Sequence, residues 1–133
     1  MNFKTNYPYV FVHGMFGFGD GDMLHDYMPY WGMMAGSLPA YLNDRGFQVY
    51  TPKVGPASSA WDRACELYAQ LTGTRVDYGV AHSKKFGHKR FGRTFDKPLF
   101  EGWGPEKKVN FFGHSFGGAT CRILSTLMAQ GDA

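Results

Sequence analysis

Apolar positions along this chain fall into short dense runs separated by glycine-rich and polar stretches. Tyr9-Val10-Phe11-Val12, after Pro8, and the largely apolar Val109-Asn110-Phe111-Phe112 are too short for helices. Both predict strands buried in a parallel sheet. Phe47-Gln48-Val49-Tyr50 predicts another. Helical spacing runs from Ala35 to Asp44, with Leu38, Tyr41 and Leu42 on one face and Gly46 as the C-terminal stop. It recurs from about Ala60 to Leu71, through Trp61, Ala64, Cys65, Leu67, Tyr68 and Leu71, where Ser58 or Ser59 can cap the start. A third helical pattern, Ala119 to Ala129, carries Ile123, Leu124, Leu127 and Met128. Strands alternating with helices predict an α/β fold with a parallel sheet.

The stretch from Thr72 to Gly104 breaks this rhythm. It is rich in glycine, aromatics and cations and has no clear helical period. Seven Lys/Arg and two Asp lie between Arg75 and Lys97. Arg75-Val76-Asp77-Tyr78 and Arg90 to Phe95 predict small antiparallel strands in an excursion from the main sheet.

One junction carries chemistry. Gly113-His114-Ser115-Phe116-Gly117 joins the apolar run Val109–Phe112 to the last helix and fits G-x-S-x-G. With 18 glycines the bare motif arises by chance in about one such chain in ten, so its context decides. Strand, sharp turn and helix are the context of a nucleophile elbow, with Ser115 lifted above the sheet edge at a helix N-terminus. Gly113 and Gly117 would let strand and helix pass closely. The alternative is an ordinary glycine-rich turn with a capping serine. Upstream, His13-Gly14-Met15-Phe16-Gly17-Phe18-Gly19 follows the first strand without opening a helix, which disfavours a dinucleotide-phosphate loop. An aromatic loop through Tyr27, Tyr30 and Trp31 comes after Asp20-Gly21-Asp22. The better expectation is that the backbone N–H groups of Met15 and Phe116 form an oxyanion hole. Met15, Phe16, Phe18 and Phe116 then line an acyl-chain wall, although each could equally be core packing.

His82 and His88 are six residues apart, so a loop must bring them together, and Asp62 is a candidate third ligand for zinc. Lys84, Lys85, Lys89 and Arg90 crowd the pair, and a solvated basic loop is the plainer alternative. The net charge of +3 is too small to imply nucleic acid. Cys65 and Cys121 fall in predicted helices and suggest no disulfide framework. No stretch approaches the ~20 apolar residues of a membrane span. Met1 to Tyr7 holds no apolar signal region, so the chain is either cytoplasmic or begins after a leader.

Taken together, these residues resemble the large secreted lipases of the staphylococcal and thermophilic bacillus group, lipase family I.5. The resemblance runs through His13-Gly14, Gly17-Phe18-Gly19, Tyr30-Trp31-Gly32, Val54-Gly55-Pro56 and Trp61 to Tyr68. It continues through Asp77 to Thr94 and the elbow. It implies an α/β-hydrolase fold, an ester or lipid substrate met at a lipid–water interface, and secretion. It also implies that 72–104 is a small zinc-binding excursion in which Asp62, His82 and His88 are three of four ligands of a structural zinc, with Trp61 packed against them. Met15 stands where the family commonly has Phe.

The triad order of that fold is Ser, then Asp or Glu, then His. Only eighteen residues follow Ser115, with no histidine and one acid, Asp132. The expectation is therefore the N-terminal part of a hydrolase about twice this length or more. Its triad Asp and His, fourth zinc ligand, calcium site and lid would lie beyond Ala133. The strand at 109–112 would have an unpaired side. Two other functions fit parts of the pattern. One is a different hydrolase-fold enzyme, such as an acyltransferase or polyester-cleaving esterase. The other is a non-catalytic, zinc-stabilised module using Lys84 to Lys97, with Phe86, Phe91 and Phe95, to bind single-stranded nucleic acid.

Overall fold

The computed structural model describes residues 7–19 and 29–131. Met1 to Asn6, Asp20 to Asp22, Tyr27 and Asp132 lie outside the described residues. The strands and helices are β1 (Tyr9–Val12), α1 (Leu38–Asp44), β2 (Val49–Tyr50), α2 (Ala60–Thr72), β3 (Arg75–Asp77), α3 (Val80–Phe86), β4 (Phe91–Thr94), β5 (Asn110–Gly113) and α4 (Phe116–Gln130).

β1 is central in a parallel sheet of order β2-β1-β5, with Tyr9 opposite Val49 and Asn110, and Val12 opposite Gly113. Its alternating side chains enter two cores. Val10 and Val12 join Val54, Ala64, Leu67, Leu71 and Leu124 beneath α2 and α4. Phe11 joins Trp31 and Val49 on the other face, packed by Tyr9, Tyr30, Leu42 and Phe47. A strand covered on both faces must be apolar throughout, which is why its run does not alternate. β5 is an edge strand among the described residues, and Phe112 there is 57% exposed.

One helix and one strand start two or three residues later than the sequence pattern predicts. The helix expected from Ala35 starts at Leu38, because Gly36 takes φ 98 and Ser37 caps α1 through Ala40 N. Its buried residue is Pro39, while Leu38 and Tyr41 are exposed. The strand expected from Phe47 is only Val49–Tyr50. α2 matches closely: Ser59 is the cap and accepts from Asp62 N at 3.1 Å.

The excursion contains the expected antiparallel pair β3–β4 and also a helix, α3, that its composition hid. α3 is only two turns long, too short for a visible period. Gly79 precedes it, and Gly87 closes it in the left-handed region, φ 71, with Gly87 N and His88 N both bonded to Ser83 O.

Candidate active site and metal group

β5 ends at Gly113 and α4 begins at Phe116, so the chain must reverse within two residues. Ser115 absorbs the reversal at φ 55, ψ −121, a conformation costly for any residue with a Cβ. A Cβ on Gly113 would lie 2.5 Å from the Gly117 carbonyl group, and one on Gly117 would strike the Val12 carbonyl oxygen. The glycines are therefore required by the crossing of β1, β5 and α4. Gly117 N donates to His114 O at 2.9 Å and Gly118 N to Ser115 O at 3.0 Å. The Phe116 N–H meets no protein acceptor among the described residues.

The 13–17 loop lies against this turn, since a Cβ on Gly14 would stand 3.1 Å from Ser115 Cβ. Its amides are nearly all engaged. Gly14 N donates to Tyr30 Oη at 2.9 Å, Phe16 N to Pro56 O at 2.7 Å and Gly17 N to Gly14 O at 3.1 Å. Only the Met15 N–H meets no acceptor among the described residues. His13 is fully buried beneath the loop. Its Nε2 accepts from Val54 N at 3.2 Å, which leaves the proton on Nδ1 to donate to Gly14 O at 2.9 Å. That carbonyl shares a planar trans peptide with the Met15 N–H, so holding the oxygen inward turns the N–H outward. The buried Arg63 guanidinium donates in turn to His13 O.

The four residues expected to form an apolar wall divide. Phe16, at φ 58, is 75% exposed and Met15 is also exposed. Phe18 packs edge-on to Tyr30 at 5.7 Å, and Phe116 lies 5.1 Å from the Arg63 guanidinium. A separate cavity of about 430 Å³ between α2, α4 and β3 is lined by Trp61, Cys65, Tyr68, Tyr78 and Leu124, but not by Ser115.

Asp62, His82 and His88 converge, each offering one ligand atom within 4.8 Å of the others. They form a group that could hold a metal ion. The first turn of α2 supplies Asp62, α3 supplies His82, and the Gly87 reversal returns His88 to within 5.3 Å of the His82 ring. A helix and its C-terminal turn, rather than a loop, bring the two histidines together. His82 Nε2 is 3.0 Å and His88 Nε2 3.6 Å from Asp62 Oδ1. Trp61 stacks on His82 at 4.9 Å and 8°, and donates from Nε1 to Tyr78 O at 2.9 Å. On the solvent side, Asp77 takes a two-point ion pair from Arg90 at 2.9 and 3.0 Å. The Arg90 hydrogen bonds hold its carboxyl below the ordinary range.

Buried polar residues on α2 were not foreseen. Arg63 sits at an apolar-facing position, and burial lowers its pKa although Glu66 opposes the change. Gln70 mimics a strand neighbour, accepting from Lys53 N at 3.0 Å and donating to Lys53 O. Only the helical phase of these residues, aligned with Leu67 and Leu71, could have signalled their burial. Cys65 and Cys121 are half-buried and form no disulfide, and burial pushes the Cys121 thiol up to about 11.

A family model described as "Lipase-like, C-terminal domain" matches residues 5–133. Over 131 residues the chain is 42% identical to a lipase of Staphylococcus hyicus, covering 98% of this chain and 20% of that protein. Lipase 2 of Staphylococcus aureus is 40% identical over 128 residues, 96% of this chain and 18% of that one. The structure of EstA from Clostridium botulinum superposes with a TM-score of 0.85 at 49% identity, covering 92% of this chain and 28% of that one. For the crystal structure of Staphylococcus hyicus lipase the TM-score is 0.81 at 36% identity, with 98% and 36% covered. The chain thus spans about a fifth of the length of the curated relatives it matches.

Proposed function

The chain belongs to the lipase-like, C-terminal domain family, and from that premise we propose that it supplies the serine nucleophile and oxyanion donors of a carboxylic ester hydrolase of lipase type. The observation that carries the proposal is the pair of N–H groups, on Met15 and Phe116, left without acceptors among the described residues, beside the strained Ser115.

In the proposed reaction, Ser115 Oγ bonds to the ester carbonyl carbon and gives its proton to a histidine base. The carbonyl oxygen, now an anion, takes hydrogen bonds from Met15 N and Phe116 N. The carbon–oxygen bond to the alcohol then breaks, and the alcohol leaves with the proton from the base. Water, activated by the same base, releases the acid and restores Ser115. Within the described chain, both ring nitrogens of His13 are already hydrogen-bonded, and His114 Nδ1 is bonded to Tyr30. We therefore assign the base and its carboxylate partner to residues outside the described ones. Exposed Met15 and Phe16 suit contact with a lipid acyl chain at an interface, and we assign the whole protein to the secreted class that acts there.

The donor set also fits a metal. His88 Nδ1 bonds the Lys89 carbonyl at 2.8 Å, which leaves the lone pair of a neutral Nε2 facing a carboxylate. A cation between them removes that conflict. Two imidazoles and one carboxylate suit zinc, held by Asp62, His82 and His88 with a fourth ligand from elsewhere. Its part would be structural, pinning residues 72–104 to the start of α2.

Acyl transfer to another acceptor, or cleavage of a polyester, shares every step up to the acyl-serine. A substrate panel separates these. A nucleic-acid module on Lys84 to Lys97 has less support, because Arg75 and Arg90 already cap the Phe91 ring at 3.7 and 4.7 Å. The deciding test is hydrolysis of p-nitrophenyl butyrate by the complete protein and its Ser115→Ala variant. Turnover lost in the variant supports the proposal, and turnover kept in it refutes the proposal. Chain 1–133 alone is expected to stay near background, since a serine without its base is a poor nucleophile.

A further inference from the structure

Tyr30 touches both halves of the site and belongs to neither. Its hydroxyl accepts the Gly14 N–H at 2.9 Å and stands 2.6 Å from His114 Nδ1. A phenol has one proton and two lone pairs. With Gly14 on a lone pair, the proton goes to His114 Nδ1. One hydroxyl thus links the residue preceding Met15 to the residue preceding Ser115, reaching His114 across 84 positions of sequence from Tyr30. The link is held in place by its surroundings. The Tyr30 ring meets Phe18, His13 and Trp31 edge-on at 5.7, 5.8 and 5.2 Å. A Cβ on Gly14 would lie 3.0 Å from the hydroxyl, so a side chain there would crowd it.

We propose that Tyr30 is a positioning residue: its Gly14–Oη–His114 bridge sets the separation of the Met15 and Phe116 N–H groups. This rests on the ester-hydrolase assignment above. Donors fixed in advance act on the charge that develops in the transition state rather than on the ground-state ester. Loosening them should therefore lower kcat and leave KM nearly alone. Tyr30→Phe is a clean probe, because it keeps every ring contact and removes only the oxygen.

The experiment uses the complete protein with p-nitrophenyl butyrate and a trifluoromethyl ketone, which forms a tetrahedral adduct on serine. Tyr30→Phe is expected to lower kcat at least tenfold, change KM less than twofold and weaken the ketone as much as it lowers kcat. Its thermal midpoint should stay close to that of the parent. His114→Asn offers an amide oxygen near the place of Nδ1 and is expected to keep kcat within about threefold. His114→Leu should match Tyr30→Phe, and the two together should cost no more than either alone. These two variants also carry the test if Tyr30→Phe misfolds. Unchanged kcat and ketone affinity in Tyr30→Phe or His114→Leu, or fully additive losses, overturn the proposal. If Ser115→Ala does not abolish turnover, the ester-hydrolase assignment itself has failed and this inference falls with it.

Discussion

His88 turns Nε2 toward the Asp62 carboxylate at 3.6 Å while its Nδ1 is bonded to the Lys89 carbonyl at 2.8 Å. Bonding one ring nitrogen to a carbonyl is how metal-binding histidines are oriented, because it fixes the proton there and leaves the other nitrogen to coordinate. His82 is steadied by the stacked Trp61 ring.

Zinc should therefore bind this chain at one ion per molecule and raise its thermal midpoint. A ligand at 100 times its Kd adds about 2.7 kcal/mol. Asp62→Ala and His88→Ala should each weaken zinc at least tenfold and abolish the midpoint shift. Metal analysis after dialysis, with melts at several zinc concentrations, checks this. A shift that survives in both variants would mean the ion binds elsewhere.

Glu66 points to a pH effect of definite sign. Its carboxylate accepts Gly55 N–H at 3.3 and 3.4 Å, but burial, with Asp62 adding to it, raises its pKa. An acid whose pKa is raised by folding holds more protons in the folded state. Stability contributed below the unfolded pKa is then lost as pH rises to the folded pKa. Glu66→Gln keeps an acceptor for Gly55 and removes the ionisation. Urea midpoints should fall less steeply with pH in the variant, which should be at least as stable as the parent at pH 7. A less stable variant with an unchanged slope would contradict the argument.

The main sheet and the elbow were legible in the sequence because their signals are local. Four apolar residues bounded by Pro8 and Gly14 admit little but a buried strand, and the observed strand is Tyr9–Val12. Gly113 and Gly117 flag a close crossing that the structure contains. The histidine pair was legible as a pair, but its geometry was not. α3 is seven residues long, and its evidence lay in the flanking Gly79 and Gly87 rather than in periodicity. Arg63 illustrates a different limit. A cation on a helix is ordinarily solvated, and only tertiary structure supplies the His13 carbonyl that draws it inside.

Two neighbouring glycines should respond oppositely to the same substitution. In Gly117→Ala the new methyl meets the Val12 carbonyl oxygen, and backbone cannot rotate away as a side chain can. A loss of about 3 kcal/mol or more is expected. In Gly118→Ala the methyl meets only Gly113 O at 4.0 Å, and alanine is a better helix former by about 1 kcal/mol. Chemical denaturation of both variants checks the contrast. Equal effects would mean that β1 and α4 are not in close contact here.

Ser115 should be worth more to chemistry than to stability. Its φ of 55 with ψ −121 is tolerable for glycine but strained for any residue with a Cβ, by about 1–3 kcal/mol. Ser115→Ala keeps the Cβ and hence the strain, so its stability should stay within about 0.5 kcal/mol of the parent. Ser115→Gly relieves the strain and adds back about 0.5–1 kcal/mol of unfolded-chain entropy, leaving a net gain of about 1 kcal/mol. Ser115 is the N-cap of α4, where glycine ordinarily exceeds alanine by about 0.5–1 kcal/mol, so only an advantage of Ser115→Gly over Ser115→Ala larger than that measures stored strain. If alanine proves the more stable, the turn is relaxed, and the serine is not held up by backbone distortion. If glycine leads by more than that margin, the fold gives up stability at this one position to keep a hydroxyl beside Met15 N and Phe116 N.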